Sequence, residues 1–340
     1  MSQYRKIPSE KAKRELQADE TWNYCPDLPL ENPNIFAWPP KPLSAAKSLA
    51  LYWFTLTGRV VILLIAYACW LFLHPDISRC LHFEAGWVTQ IYLRNLFLLI
   101  AVAGGLHLYL YTYSRQGDYL KFDTRPMIKN SRQFSFNDQV KDNMFWSLVT
   151  GVLIWTFFEI FYMWLHANGK VPQMAWDSNI IPFLAMFVAI PLWYSFWFYW
   201  VHRALHWPPL YRLAHRLHHR NINVGPWSGY SMHPIEQLMY MGSIVIHLII
   251  PSHPLHIMFH LQFNVLAAVF SHSGFENLVM AEKKRMDLGY FFHQLHHKYF
   301  ECNYGTDEMP WDRWFGTFHN GSTEATKLIR RRRQKMHNNG

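Results

Sequence analysis

No charged residue occurs between Asn179 and Val201, in the stretch "NIIPFLAMFVAIPLWYSFWFYWV". A run of this length must satisfy its backbone polar groups internally, which makes it a helix, and roughly 20 apolar residues suffice to cross a bilayer. Pro182 and Pro191 are expected to kink it. Three more runs have similar character: Ser48–Leu73, interrupted by Arg59; Asn95–Ser114, which follows Arg94; and Met144–Leu165, whose one acid is Glu159. Trp and Tyr near their ends fit the aromatic belts of lipid spans better than the inside of a soluble core. A further apolar run, Met239–Phe270, is broken by "PSHPLH". Each half is too short to span, which predicts a re-entrant hairpin or an interfacial pair.

The expected architecture is therefore an all-α integral membrane protein with four transmembrane helices and a cytosolic helical cap. Residues 1–47 form an N-terminal cytosolic segment, and 48–201 the four spans with their loops. Residues 202–320 form the cap, with 239–270 inside it, and 321–340 a basic tail. Charge sets the orientation. Seven Lys/Arg precede the first run, six lie between the second and third (Arg115, Lys121, Arg125, Lys129, Arg132, Lys141), and 15 follow the fourth, against Arg79 and Lys170 in the other two loops. By the positive-inside bias both termini are cytoplasmic, in a bacterial inner membrane or the endoplasmic reticulum. The net charge of +9 and the tail "LIRRRRQK" then face anionic lipid or solvent rather than nucleic acid. Four scattered cysteines without a CxxC give neither a disulfide framework nor a thiolate metal site.

Histidine is concentrated where the fourth run ends. Fourteen of the 20 histidines fall between positions 202 and 297. His202 and His206 are spaced i, i+4. His215, His218 and His219 are spaced i, i+3, i+4, and His293, His296 and His297 repeat that pattern. On helices such positions project together, and neutral imidazole is a good ligand for iron, copper, zinc or nickel. Eight imidazoles exceed what one ion can take, so two ions are the natural inference. His74, His82, His107, His166, His319 and His337 are read as ordinary core or surface residues, as are His247, His253, His256 and His260 in the broken run. Carboxylates are scarce between His202 and His297: Glu236, Glu276, Glu282 and Asp287 only. The Glu-x-x-His pattern of soluble di-iron bundles is missing. So are HExxH, GxSxG, a P-loop and GxGxxG, which leaves zinc proteolysis, serine hydrolysis, NTP use and dinucleotide binding without support.

From about Trp193 to Thr317 the chain resembles the membrane fatty acid hydroxylase and sterol desaturase superfamily. "HRALH" is similar to the first histidine box, "HRLHH" to the second and "HQLHHKYFECNYG" to the last; "WDRWFGT" resembles the closing segment. "MHPIE" and "SHSG" resemble segments of sterol-modifying members. The resemblance implies four spans with a cytosolic di-metal cap, two iron ions, O₂ as co-substrate and an external electron donor such as a cytochrome b5-like or ferredoxin partner. It implies nine ligands: His202, His206, His215, His218, His219, His272, His293, His296 and His297. His233, in the HPxE context, is either a tenth ligand or a helix-orienting residue. Some sterol-modifying members carry one more histidine, where this chain has Phe292. Glu276 or water would then complete the set, and Glu236 and Glu276 are the carboxylates expected to support it.

The implied reaction is hydroxylation, desaturation or methyl oxidation of a C–H bond in a lipid drawn from the bilayer. HPxE and HSG favour a sterol-like lipid over fatty-acyl, alkyl-ether or carotenoid substrates. The rival from another class is a non-catalytic metal carrier or structural zinc protein. A carrier needs ionisable ligands near mid-bilayer, whereas these clusters begin after the spans.

Overall fold

A computed structural model describes residues 22–31, 36, 39–177 and 180–338. Among them, four helices are long and apolar enough to cross a membrane: Ala85–Thr112 (α3), Gln139–Ala167 (α4), Ile180–Leu205 (α5) and Pro254–Ser271 (α7). A bent pair, Pro42–Phe54 (α1) and Gly58–Phe72 (α2), makes a fifth candidate.

Three of the expected spans thus lie in α3, α4 and α5; Asn179 itself falls outside the described residues. Pro191 sits inside α5 without ending it. The expected Ser48–Leu73 span is instead two helices meeting at 41°. The break at Thr55–Thr57 has a local cause. Thr57 takes extended backbone angles and caps α2, its side chain accepting from Val60 N at 3.4 Å. Span α3 begins before Asn95 and so takes Arg94 into the helix. There Arg94 bonds Glu159 of α4 at 2.5 Å, and Asn95 Nδ2 donates to the second carboxylate oxygen at 3.1 Å. The acid of the third run is therefore neutralised within the bundle, as a buried charge must be.

The segment 239–270 folds as a hairpin, one of the two expected arrangements, but its second half is longer than expected and is by length and composition able to span. Pro234–Met241 (α6) continues as a tighter 3₁₀ stretch, Gly242–Leu248, and α7 returns as one 18-residue helix. The descending limb runs beside α5: Trp197 Nε1 donates to Met239 O at 2.9 Å and Trp193 Nε1 to Ser243 O at 2.8 Å. At the tip, Ser252 pairs with Gln173, in the loop between α4 and α5. The greater rise of a 3₁₀ helix, about 2.0 Å per residue against 1.5, lets a short limb reach that far. The hairpin therefore traverses the bundle and comes back. α7 is 89% buried against about a third for α3, α4 and α5, so the outer helices, with exposed residues such as Phe97, Phe157, Leu184 and Leu192, enclose it.

α7 can be so central because its neighbours come close. A Cβ on Gly229 would lie 2.1 Å from Ala268 O, and one on Gly58 would lie 3.1 Å from the Phe270 ring. Beyond α7 follow a short antiparallel pair, Asn277–Met280 (β1) and Lys283–Asp287 (β2), then Phe291–Tyr299 (α8), Trp311–Trp314 (α9) and the tail helix Thr323–Asn338 (α10). Residues 22–31 pack on this cap: Asn23 N donates to Phe122 O at 2.8 Å and Leu30 N to Asn320 O at 2.8 Å. The rest of the first 21 residues, and the His337 side chain, lie outside the described residues.

Candidate metal centre

The last turn of α5 and the residues after it deliver His202 and His206. A π-helical turn, Tyr211–His215, and a 3₁₀ turn, His218–Arg220, deliver the second cluster. The C-terminal end of α7 delivers His272, and α8 delivers His293, His296 and His297. These elements bring nine of the ten candidate histidines into two groups. His202, His206, His215, His219 and His296 form one; His218, His272, His293 and His297 form the other. Within each group the ligand-capable atoms lie within 4.8 Å of one another.

The split follows from helix geometry. At ~100° per residue, positions i and i+4 lie on one face, whereas neighbours point ~100° apart. On α8 His293 and His297 accordingly join one group and His296 the other; in the second cluster His215 and His219 part from His218 in the same way. An HxxHH box thus divides its histidines between the two groups.

The atoms that face one another are alike. In the first group, His206 Nε2 lies 3.1 Å from His215 Nε2 and 3.1 Å from His219 Nε2, which is 3.0 Å from His296 Nε2. In the second, His272 Nε2 lies 3.2 Å from His218 Nε2 and 3.0 Å from both His293 and His297 Nε2. The other ring nitrogen is engaged elsewhere in five cases. Nδ1–H donates to carbonyl oxygen in His202 (Tyr304, 2.7 Å), His218 (Ser231, 3.3 Å), His272 (Ala268, 2.9 Å) and His296 (Cys302, 2.6 Å), and to Glu236 Oε1 in His215 (2.7 Å). That fixes the tautomer and turns the Nε2 lone pairs inward, where they repel unless a cation lies between them. Metal–nitrogen bonds of ~2.0–2.1 Å place neighbouring nitrogens ~2.9–3.4 Å apart, between right-angled and tetrahedral arrangements. The residues fit two ions. Burial, followed by neighbouring imidazoles, holds His206, His215, His219, His293, His296 and His297 well below the ordinary histidine value, and burial takes His218 down to about 4. Neutral imidazole is the ligating form.

His233 stands apart from both groups. It is the N-cap of α6, its Nδ1 accepting from Ile235 N at 3.2 Å. Glu276 is also elsewhere, bonded by Tyr24 Oη at 2.5 Å and facing Lys284 at 3.9 Å. Glu236 does reach the centre through His215. Burial raises its carboxyl well above the usual range. Reading the residues as metal ligands missed a supporting layer. Asp312 of α9 accepts from Tyr304 N (2.8 Å), Gly305 N (2.7 Å) and Thr317 Oγ1 (2.5 Å). It thereby holds the "NYG" turn whose Tyr304 carbonyl takes the His202 proton. Asn303 ties the same turn to Phe292 O and His319 O, each at 3.0 Å. The recurrence of "NYG" and "WDRWFGT" beside the last box was the available signal. Gly274 sits at φ +83°, and a Cβ there would lie 2.3 Å from Tyr111 Oη, so the chain turns sharply just after His272.

A cavity of about 270 Å³ opens onto both groups. His202, His215, His218, His272 and His293 line one part; Ile62, Phe198, Phe263, Ala267, Phe270 and Leu288 supply apolar wall. The walls come from α2, α5 and α7, so the cavity lies where the apolar helices meet the cap.

Residues 187–317 match the family model described as fatty acid hydroxylase. Among curated proteins the chain is similar to the Delta(7)-sterol 5(6)-desaturases of Eremothecium gossypii (31% identity, 36% of this chain, 34% of that protein) and Saccharomyces cerevisiae (32% identity, 35% and 32%). It is also similar to the Delta(7)-sterol-C5(6)-desaturase of Nicotiana tabacum (26% identity, 49% and 60%). The chain spans about a third of the length of the first of these relatives. No solved structure matches it. Residues 187–317, the segment that holds all nine grouped histidines, thus match the fatty acid hydroxylase family model, and the curated proteins it is similar to here are sterol desaturases.

Proposed function

We propose that this chain is an O₂-dependent di-iron lipid oxidase that hydroxylates, desaturates or stepwise oxidises a C–H bond of a sterol-like membrane lipid. The observation that carries the reading is the pair of inward-facing Nε2 arrays opening onto an apolar cavity beside the spanning helices. His202, His206, His215, His219 and His296 would hold one ion; His218, His272, His293 and His297 the other. Two reduced irons held there would activate O₂, the oxidant that an inert C–H bond demands. The chain's own contribution is position and dryness. Phe198 and Phe263 wall the reacting end against water. Glu236 and the Tyr304 and Cys302 carbonyls lock the imidazoles, so substrate meets rings already oriented. Electrons would come from a separate donor, of cytochrome b5-like or ferredoxin type.

The reading places both termini and the site on the cytoplasmic face, in the endoplasmic reticulum or a bacterial inner membrane. The traversing hairpin preserves the even number of crossings this requires, since it returns to the side it left. The carrier alternative loses its mid-bundle candidates, because Glu159 is paired with Arg94 and the hairpin histidines His247, His256 and His260 are hydrogen-bonded to protein partners. Lipid mass spectrometry of cells with and without the gene tests the function: a gene-dependent product changed by one oxygen or two hydrogens is expected. An unchanged lipidome in iron-replete cells that make the protein would overturn it.

A further inference from the structure

The cavity beside the histidines lies where the helix bundle is least closed. α2 and α5 both pack on α7 and have little contact with each other, which leaves one side of α7 uncovered between them. Ala267 and Ser271 are the residues of α7 that are not buried, and both line the cavity. Gly58 and Ile62 of α2 line it on one side, Tyr194 and Phe198 of α5 on the other. The outer flanks of this gap are apolar and exposed: Phe54 and Leu56 before α2, Leu192 and Phe196 on α5. Such a surface between spanning helices meets acyl chains rather than water.

One short loop bridges the gap. Its root is fixed, because Asp312 accepts from Tyr304 N and Gly305 N. Thr306–Glu308 then reach from α5 to α2. Thr306 Oγ1 lies 2.6 Å from Ser195 Oγ of α5. Glu308 is ion-paired with Arg59 of α2, whose guanidinium lies over the Tyr52 ring, 4.4 Å from the centroid. All three loop residues line the cavity, and none is fully buried. The two ties are unequal. A hydrogen bond between neutral hydroxyls is weaker than a charge-assisted one, so the loop can part from α5 while it stays tied to α2.

A second way in exists. A wider cleft of about 830 Å³ meets the cavity at Thr57, Asp287, Tyr290, Phe292 and Asp307. Its walls carry Glu31, Lys284, Arg285 and Arg313. An apolar lipid taking that path would leave the bilayer and pass charged side chains, giving up the burial it had among acyl chains. The gap between α2 and α5 asks for no such transfer.

We infer that lipid enters the cavity sideways from the bilayer, between α2 and α5, and that Thr306–Glu308 is the latch of this portal, opening at the Ser195–Thr306 contact. This rests on the lipid-oxidase reading and adds the door through which its substrate comes. The latch governs access, not chemistry.

The test reads occupancy rather than turnover. The full metal-loaded chain is placed in phosphatidylcholine nanodiscs containing a diazirine-bearing sterol, and light-induced adducts on Phe198 and Ala267 are followed over time by mass spectrometry. The Ser195→Cys, Thr306→Cys pair locks the latch. Its oxygens are 2.6 Å apart, close to the ~2.05 Å of a disulfide, and the four native cysteines are buried. A short bis-thiol reagent closes the pair where oxidation is incomplete. Labelling should fall to background in the locked form and return on reduction, at unchanged metal content. Thr306→Val should speed labelling about three- to tenfold, the scale of one neutral hydrogen bond lost from the closed state. Thr306→Ser, which keeps the hydroxyl, should stay near the wild-type rate. Ser48→Trp, which narrows only the cleft, should change nothing. Labelling that survives the lock, or that stops with Ser48→Trp, overturns the portal and leaves the oxidase reading standing. A wild type labelled by neither the sterol nor a fatty-acyl diazirine probe fails the oxidase reading as well.

Discussion

Two clusters of buried histidines, one in the hairpin and one at the centre, are handled in opposite ways. In the hairpin every ring nitrogen with a contact meets a complementary partner. His247 Nδ1 faces Ser252 Oγ at 2.7 Å and its Nε2 faces His260 Nδ1 at 2.8 Å; His260 Nε2 then meets Ser243 Oγ at 3.0 Å. His256 accepts from His253 N at 3.1 Å and reaches Phe183 O at 2.9 Å. Such a chain is satisfied by one choice of tautomers and asks for nothing more. At the centre, Nε2 meets Nε2, and no tautomer satisfies rings whose Nδ1 protons already go to carbonyls. Equal burial therefore has different meanings: one set of imidazoles is complete, and the other is arranged as cation ligands would be.

The largest expected effect breaks this comparison directly. Metal analysis of protein from iron-replete cells should give two ions per chain. His272→Ala should lose the ion of its group and abolish turnover, with the protein still inserted in membranes, since the helices carry the fold. His256→Ala should keep both ions and lower thermal stability instead, by ~1–3 kcal/mol for a buried group left unpaired. If His256→Ala loses metal while His272→Ala retains metal and turnover, the assignment of the two regions is reversed.

Acid should sharpen the contrast next. The central histidines outside the spans have depressed folded values, His218 about 4, against ~6.5 when unfolded. Below pH ~6.5 the unfolded chain binds protons that the folded chain refuses, so stability falls as pH drops toward 4. Metal competes with those protons. Melting temperatures from pH 7 to 4 should thus fall for the metal-free protein first, with the metal-loaded form holding to lower pH. Coincident curves with and without iron would mean that the central histidines hold no ion.

How much of this was legible in the sequence depended on the range of the forces involved. The nine grouped histidines stand at local helical spacings or in segments whose order resembles known boxes, so they could be named without coordinates. Their division between two centres was not legible, because it depends on which face of α8 meets the turn at His215–Arg220. Of the hairpin, the sequence showed the break but not the depth, because a breaker such as "PSHPLH" says where a helix stops, not how deep it lies. That depth is set by long-range contacts such as the pairing of Ser252 with Gln173, 79 residues distant in sequence, and the Trp193 and Trp197 bonds to the descending limb. The bend in the first apolar run was not legible for a smaller reason: Thr57 acts as an N-cap inside it, where composition gives no warning.

A smaller effect is expected from the support of the centre. Asp312→Ala should free the "NYG" turn, and with it the Tyr304 carbonyl that orients His202. Loss of such an outer partner typically costs 10–100-fold in metal affinity or activity. The change should fall on the ion held by His202, leaving the other group filled. Equal loss of both ions would indicate collapse of the cap instead, and Asp312→Asn, which keeps one acceptor oxygen, separates the two by restoring part of the affinity.

The smallest effect should come from His233, the candidate that joins neither group. Its "HPIE" context divides into three physical tasks. His233 Nδ1 accepts from Ile235 N and caps α6; Pro234 starts the helix, where its missing N–H costs nothing; Glu236, one turn in, reaches His215. The ring is only partly buried and lies 6.4 Å from the Trp146 ring, edge of the cap rather than centre. His233→Ala should therefore lower stability by ~0.5–2 kcal/mol, the usual cost of losing an N-cap, with both ions retained. His233→Asn, another good cap, should recover most of that. The capping account fails if either variant loses an ion, or if Asn is no better than Ala; in that case the ring acts on the metals through Glu236, and the satisfied and unsatisfied histidines are less separate than their geometry makes them.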